Sequence, residues 1–347
     1  MTQDAVCRIE GRAGRIVLDR PKALNALTLD AVRAMRRALD AWATDPAVTR
    51  VVVEGAGEKA FCAGGDIRRL VEAGRAGQRE EAHAFWREEY ELNALIEAYP
   101  KPYVSLIDGI VMGGGVGISL HGSHRVAGER YLFAMPEVGI GFFPDVGASF
   151  KLPRLPGVVG TWLALTGARI GPADGLAMGL ATHAVASAAI PEIRRRLLAG
   201  EDVDAVLAEH ARDPGPAPIE AKAATIDAAF RADTVEAILA RLDEAAASGD
   251  AVAAETAQTM RGKSPTSLKI ALRQMREGAG LDFRQAMTME FRIVSRMLDG
   301  HDFYEGVRAV LIDKDHAPRW SPARLEEVDE AAIDAYFAPL GDDELAI

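Results

Sequence analysis

Two glycine loops and two acids are the residues of this chain best suited to chemistry. Residues 61–66 read FCAGGD, and residues 109–147 read GIVMGGGVGISLHGSHRVAGERYLFAMPEVGIGFFPDVG. Glycine has no Cβ, so both loops can bring bare backbone against a ligand. One N–H from each, aimed at the same carbonyl oxygen, would stabilise the negative charge that develops there in acyl transfer. The second loop also opens an expected helix, whose N-terminus favours an anion. Glu137 follows among Met135, Pro136, Val138, Phe142 and Phe143. Desolvation by such neighbours makes a carboxyl hold its proton more readily, which suits acid–base work. Asp145 comes after FFP and before Val146-Gly147. Taken alone it reads best as a helix N-cap. Tight helix–strand packing is the ordinary reading of one glycine run, but two runs with acids nearby favour a site.

Other candidates carry less. Glu89 lies in REEYELN on an expected helix, where a solvated acid is the default. His121 and His124 flank Gly122-Ser123, a spacing that matches no metal-ligand motif. Ser119 is outside any GxSxG elbow. Cys62 has no visible His-based activation and reads as a small packed side chain. Gly113-x-Gly115 is followed by Ile118 where a dinucleotide fingerprint needs glycine, and Ala257 stands where a P-loop before Gly262-Lys263-Ser264 needs one. Both nucleotide motifs are therefore rejected.

The elements that must hold these residues follow from periodicity. Residues 5–19 read as two strands around a Gly11–Gly14 turn, and Thr28 caps a helix with Leu29, Val32, Met35, Leu39 and Trp42 on one face. Arg50–Glu54 and Pro102–Asp108 read as buried strands, 55–66 as a glycine-rich loop, and 67–99 as helix broken near Gly74–Gly77. Gly113–His121 should be helical and His124–Ala127 a strand. Beyond about residue 150 the chain turns helical. RDPGPAP (212–218) is a break, and Ser264-Pro265 opens a helix as N-cap and first residue. The fold class is α/β, with a core over 1–199 and a mostly helical extension over 200–347.

The 347 residues are 49% hydrophobic and 26% charged, with net charge -11. Such acidity disfavours nucleic acid, whose phosphates need clustered Lys and Arg. Two cysteines, Cys7 and Cys62, form no CxxC pair, so neither a disulfide scaffold nor structural zinc is expected. No apolar leader and no run of eighteen apolar residues is present, so no membrane partner is expected and a cytoplasmic location is the simplest reading.

FCAGGDI, GIVMGGGVGISLHG and AMPEVGIGFFPDVG together resemble the crotonase (enoyl-CoA hydratase/isomerase) superfamily. EEYELN (88–93), the FPDVG signature, KSPTSLKIALRQ (263–274) and GHDFYEGVRAVLIDKDHAPRW (300–320) narrow the resemblance to its branch of 3-hydroxyisobutyryl-CoA hydrolases. The resemblance spans roughly residues 5–320 and is thin over 200–262. It implies a spiral of ββα turns with a helical C-terminal region. It implies an oxyanion hole from the N–H groups of Gly65 and Gly114, and substrate-contacting or catalytic roles at Glu89, Gly114, Glu137 and Asp145.

Hydratases of the superfamily use two glutamates. One matches Glu137, and the other falls at Gly117, where no acid exists. The expected activity is therefore hydrolysis of a short branched 3-hydroxyacyl-CoA in valine breakdown. No cofactor or metal is expected, because coenzyme A arrives as part of the substrate. An enoyl-CoA isomerase or hydratase is the first alternative, and a non-catalytic acyl-CoA-binding protein the second. Trimers and hexamers are common in the superfamily, so a homo-oligomer is a further implication.

Overall fold

The computed structural model describes residues 4–347. Two compact units are assembled from interleaved stretches of chain. Met1–Asp66, Glu88–Phe133 and Ile170–Pro218 make the first; Ile67–Arg87, Ala134–Arg169 and Ile219–Ile347 make the second.

The described strands are β1 (Ala5–Glu10), β2 (Ala13–Leu18), β3 (Arg50–Gly55), β4 (Ala60–Cys62), β5 (Tyr103–Ile107), β6 (Ile110–Met112), β7 (His124–Ala127), β8 (Leu132–Ala134) and β9 (His183–Ala184). β1 and β2 form the expected antiparallel hairpin, and β3, β5, β7 and β9 extend it in parallel to the order β1-β2-β3-β5-β7-β9. A smaller sheet has the order β4-β6-β8. From β3 to β8 the strands thus come in consecutive pairs, the first of each joining the large sheet and the second the small one. That alternation is the ββα spiral. Val51, Val52 and Val53 are fully buried, as a strand covered on both faces requires. Thr28 caps the Leu29–Thr44 helix by accepting from the Ala31 N–H, and Val32, Met35, Leu39 and Trp42 are buried along it.

Three features depart from the sequence reading. Segment 55–66 is not all loop, because it contains β4. β6 and β9 were not foreseen. Strands of three and two residues are too short to show a period of two, and long-range pairing alone defines them.

β4 also explains one glycine. A Cβ on Gly115 would lie 2.3 Å from the Cys62 carbonyl oxygen and 2.8 Å from the Cys62 Cβ. Gly115→Ala is expected to destabilise the protein by about 1–3 kcal/mol, the usual range for overpacking. Calorimetry would read this as a lower Tm; an unchanged Tm would mean that β4 yields freely.

The second unit is mostly helical. Ser264 caps Pro265–Gly278 by accepting from the Ser267 N–H, with Pro265 at the first position as expected. Asp282 caps Phe283–Met297 in a capping box with Gln285. Val159–Thr166, Ala223–Phe230, Val235–Ala247 and Ala251–Arg261 supply further helices. Among the described residues no helix is long and apolar enough to cross a membrane.

Candidate active site

In the first unit the two glycine loops meet. Residues 63–66 are pinned by residues 24–27: Ala63 N–H donates to Leu24 O, Leu27 N–H to Gly64 O, and Asp66 N–H to Leu27 O. Leu24 and Asn25 have positive φ, 51° and 57°. Asn25 secures that bend by donating to the carbonyls of Ala56 and Ala60 and accepting from Arg20 N–H. The sequence reading passed over this asparagine, although Asn is a residue that tolerates left-handed backbone.

The second loop turns at Gly113 (φ 47°, ψ −127°) into the helix Gly114–Leu120. A Cβ on Gly64 would be 3.9 Å from Gly114 N, and one on Gly114 would be 3.4 Å from Gly65 N. Loop is therefore set against loop without a side chain between. Neither the Gly65 nor the Gly114 N–H donates to an acceptor among the described residues. Two adjacent N–H donors without internal acceptors can serve a ligand oxygen. Glu89 closes one side. Its carboxylate is buried, with Oε1 2.4 Å from the position of a Gly114 Cβ. The default of a solvated acid fails there: residue 89 lies on the inward face of the Arg79–Glu97 helix, beside buried Phe85, Trp86 and Leu92.

Cys62 is not a nucleophile in waiting. Burial pushes its thiol up to about 12, so thiolate is scarce near neutral pH. Among the described residues no group of three or more His, Cys, Asp or Glu is arranged to hold a metal ion.

In the second unit Glu137 begins the short helix Glu137–Ile140, and the Gly141 N–H returns to its carbonyl at φ 69°. Phe142 stacks on Trp86 at 5.7 Å between ring centroids and packs on Phe303 at 5.1 Å, which makes the surroundings apolar. Glu137 is only 6% exposed, and its Oε2 has no hydrogen-bond partner among the described residues. Burial first, and the neighbouring charge of Asp145 second, hold its carboxyl well above the ordinary carboxylate range. The sequence reading of a desolvated acid at this position agrees with that environment.

Asp145 is 5% exposed and starts a tight turn. Ala148 N–H donates to Asp145 O at 3.0 Å. Val146 has φ 55° and Gly147 φ 88°, the sign pattern of a type I′ turn. The helix that follows, Ala148–Lys151, has Gly147 at its N-cap, so the simple N-cap reading of Asp145 is displaced. A β-branched valine at positive φ costs about 1–3 kcal/mol and needs outside support.

That support comes from two residues the sequence reading missed. Glu290 is fully buried and accepts from Gly147 N–H at 2.8 Å and from Ser149 N–H at 2.9 Å. Gln274, also fully buried, donates from Nε2 to Ser149 Oγ at 2.7 Å and to the Pro144 carbonyl. Two accepted N–H bonds, at about 0.5–1.5 kcal/mol each, offset much of that strain. Burial pushes the Glu290 carboxyl up to about 8, against the opposing pull of the Gly147 and Ser149 donors. A signal did exist. Glu290 interrupts the apolar face of its helix between Met287 and Phe291, and Gln274 does the same between Ala271 and Met275.

Comparison with known proteins gives the chain its family. The enoyl-CoA hydratase/isomerase family model matches residues 13–337. The mitochondrial 3-hydroxyisobutyryl-CoA hydrolase of Xenopus tropicalis is 48% identical, over 97% of this chain and 89% of its own. The mitochondrial enzyme of the same name from Danio rerio is 47% identical over 97% and 90%. A solved structure described as a carnitinyl-CoA dehydratase from Mycobacterium thermoresistibile is 43% identical, with a TM-score of 0.94 over 99% of both chains.

These relatives correct one expectation. A cytoplasmic location does not hold against homologues named mitochondrial. That reading rested on composition, which does not separate one reducing compartment from another. With the family model matched over 13–337 and relatives of this identity aligned nearly end to end, the chain belongs to the enoyl-CoA hydratase/isomerase family, the crotonase superfamily.

Proposed function

We propose that the chain hydrolyses the thioester of 3-hydroxyisobutyryl-CoA, giving 3-hydroxyisobutyrate and free CoA, a step of valine breakdown. The near-full-length hydrolase relatives support the substrate. The structural observation that carries the chemistry is the pair of adjacent N–H groups at Gly65 and Gly114, which donate to no acceptor among the described residues. They receive the thioester oxygen as it becomes an oxyanion.

Glu137 supplies the acid–base or nucleophilic step. In one route its carboxylate attacks the acyl carbon, the C–S bond breaks to release CoA thiolate, and water opens the resulting anhydride. In the other it takes a proton from water, whose oxygen attacks the same carbon, and the C–S bond breaks to release CoA thiolate. Label from oxygen-18 water appearing in Glu137 after a single turnover would support the anhydride. Asp145, with Glu89, meets the 3-hydroxyl of the acyl group. Buried polar partners for that hydroxyl reject a plain acyl-CoA far more strongly than an apolar pocket rejects one methylene. No cofactor enters this scheme.

The dehydratase title of the solved neighbour raises the alternative of addition across a double bond. Gly117 argues against it. It lies buried in the Gly114–Leu120 helix and brings no second acid where a hydratase needs one. Purified protein is therefore expected to cleave 3-hydroxyisobutyryl-CoA, followed by thiol release, at least about a hundredfold faster than it hydrates crotonyl-CoA, consistent with loss of one acid–base group. Hydration equal to or faster than cleavage would overturn the hydrolase reading.

A further inference from the structure

Among the described residues Glu290 is the one fully buried acid bound to the turn that carries Asp145, and the reaction scheme above gives it no task. It touches that turn twice, at Gly147 and Ser149, and Gln274 grips it at Pro144 and Ser149. The four contacts bracket Asp145 on both sides in sequence. The turn cannot hold its own shape well, because Val146 sits at φ 55°. Two helices distant in sequence, Pro265–Gly278 and Phe283–Met297, thus fix where the Asp145 side chain starts.

We propose that Glu290, seconded by Gln274, is a positioning residue for catalysis: it clamps the Pro144–Ser149 turn so that Asp145 is held in its working orientation. The inference rests on the role given to Asp145 above. Glu290 does not touch the substrate. Each of its two carboxyl oxygens accepts from one N–H of the turn, and a carboxamide of the same shape would present an NH2 to one of them. In Glu290→Gln the turn therefore loses a brace and Asp145 its fixed start.

The test is a double-mutant cycle on hydrolysis of 3-hydroxyisobutyryl-CoA, with folding checked by thermal melts. Glu290→Gln is expected to lower kcat about 10–100-fold per folded molecule and to leave KM within about threefold, the signature of misplaced chemistry. Asp145→Asn should abolish most activity, and the double variant should be no worse than Asp145→Asn alone, because both act through one group. Adding Val146→Gly to Glu290→Gln should recover part of kcat, since glycine adopts positive φ without strain.

Folded Glu290→Gln with wild-type kcat and KM would overturn the inference. So would losses that multiply independently in the double variant. Should Glu290→Gln fail to fold, Gln274→Met takes its place with the same expected split, and a wild-type kcat there sinks the clamp. Full activity in Asp145→Asn is a different failure: it removes the role of Asp145 itself.

Discussion

Glu137→Gln is expected to lower kcat for 3-hydroxyisobutyryl-CoA by about a thousandfold, with little change in KM. General acid–base groups contribute about 10²–10⁴-fold, and a glutamine can neither attack the acyl carbon nor accept a proton. The same variant separates function from stability. Burial and the charge of Asp145 raise the folded-state affinity of Glu137 for a proton above that of the unfolded chain. Between the unfolded value of 4.5 and the raised folded value, the folded state binds more protons. Stability contributed by the protonated form is therefore present at acid pH and lost as pH rises through that window. Glutamine cannot ionise, so Glu137→Gln should melt higher than wild type at pH 7 and above while being nearly inactive. The acid limb of the wild-type rate profile should also lie above the ordinary carboxylate range. A variant with near-wild-type kcat would remove Glu137 from the chemistry; a variant that melts lower at every pH would show that its burial is not a source of strain.

Gly114→Ala should carry the next largest effect, a loss of at least about a hundredfold in kcat. An alanine Cβ there would stand 2.4 Å from Glu89 Oε1 and 3.0 Å from Leu27 Cδ1. The first distance is too short for any Cβ and the second is tight, so the loop or the buried carboxylate must move. Losing one oxyanion donor costs about 10²–10³ in kcat in enzymes that rely on such donors. Gly171→Ala is a fitting control, because a Cβ there meets nothing within 4 Å. It should keep kcat and Tm. Equal activity in the two variants would mean that the N–H of Gly114 is not aimed at the reacting oxygen.

Much of the site was legible before any coordinates. Bare glycine backbone and an acid flanked by Met135, Pro136, Val138 and Phe142 are local facts, and local composition decides flexibility and desolvation. The caps at Thr28 and Ser264 were legible for the same reason, since a cap is a contact between residues three apart. The fold class followed from buried Val-rich runs alternating with amphipathic ones. The choice of hydrolase over hydratase also came from single residues, Gly117 and Asp145, read against the family pattern.

What stayed hidden depends on partners far along the chain. β4 and β9 are strands only because β6 and β7 pair with them. Glu89 looked solvated until the Gly114 backbone was found against it. Asp145 looked like a cap until Val146 and Gly147 took positive φ and Glu290, more than a hundred residues on, was found holding the turn. Sequence spacing encodes short-range geometry directly. A hydrogen bond across 143 positions is fixed by how whole helices pack, and no local pattern carries that distance.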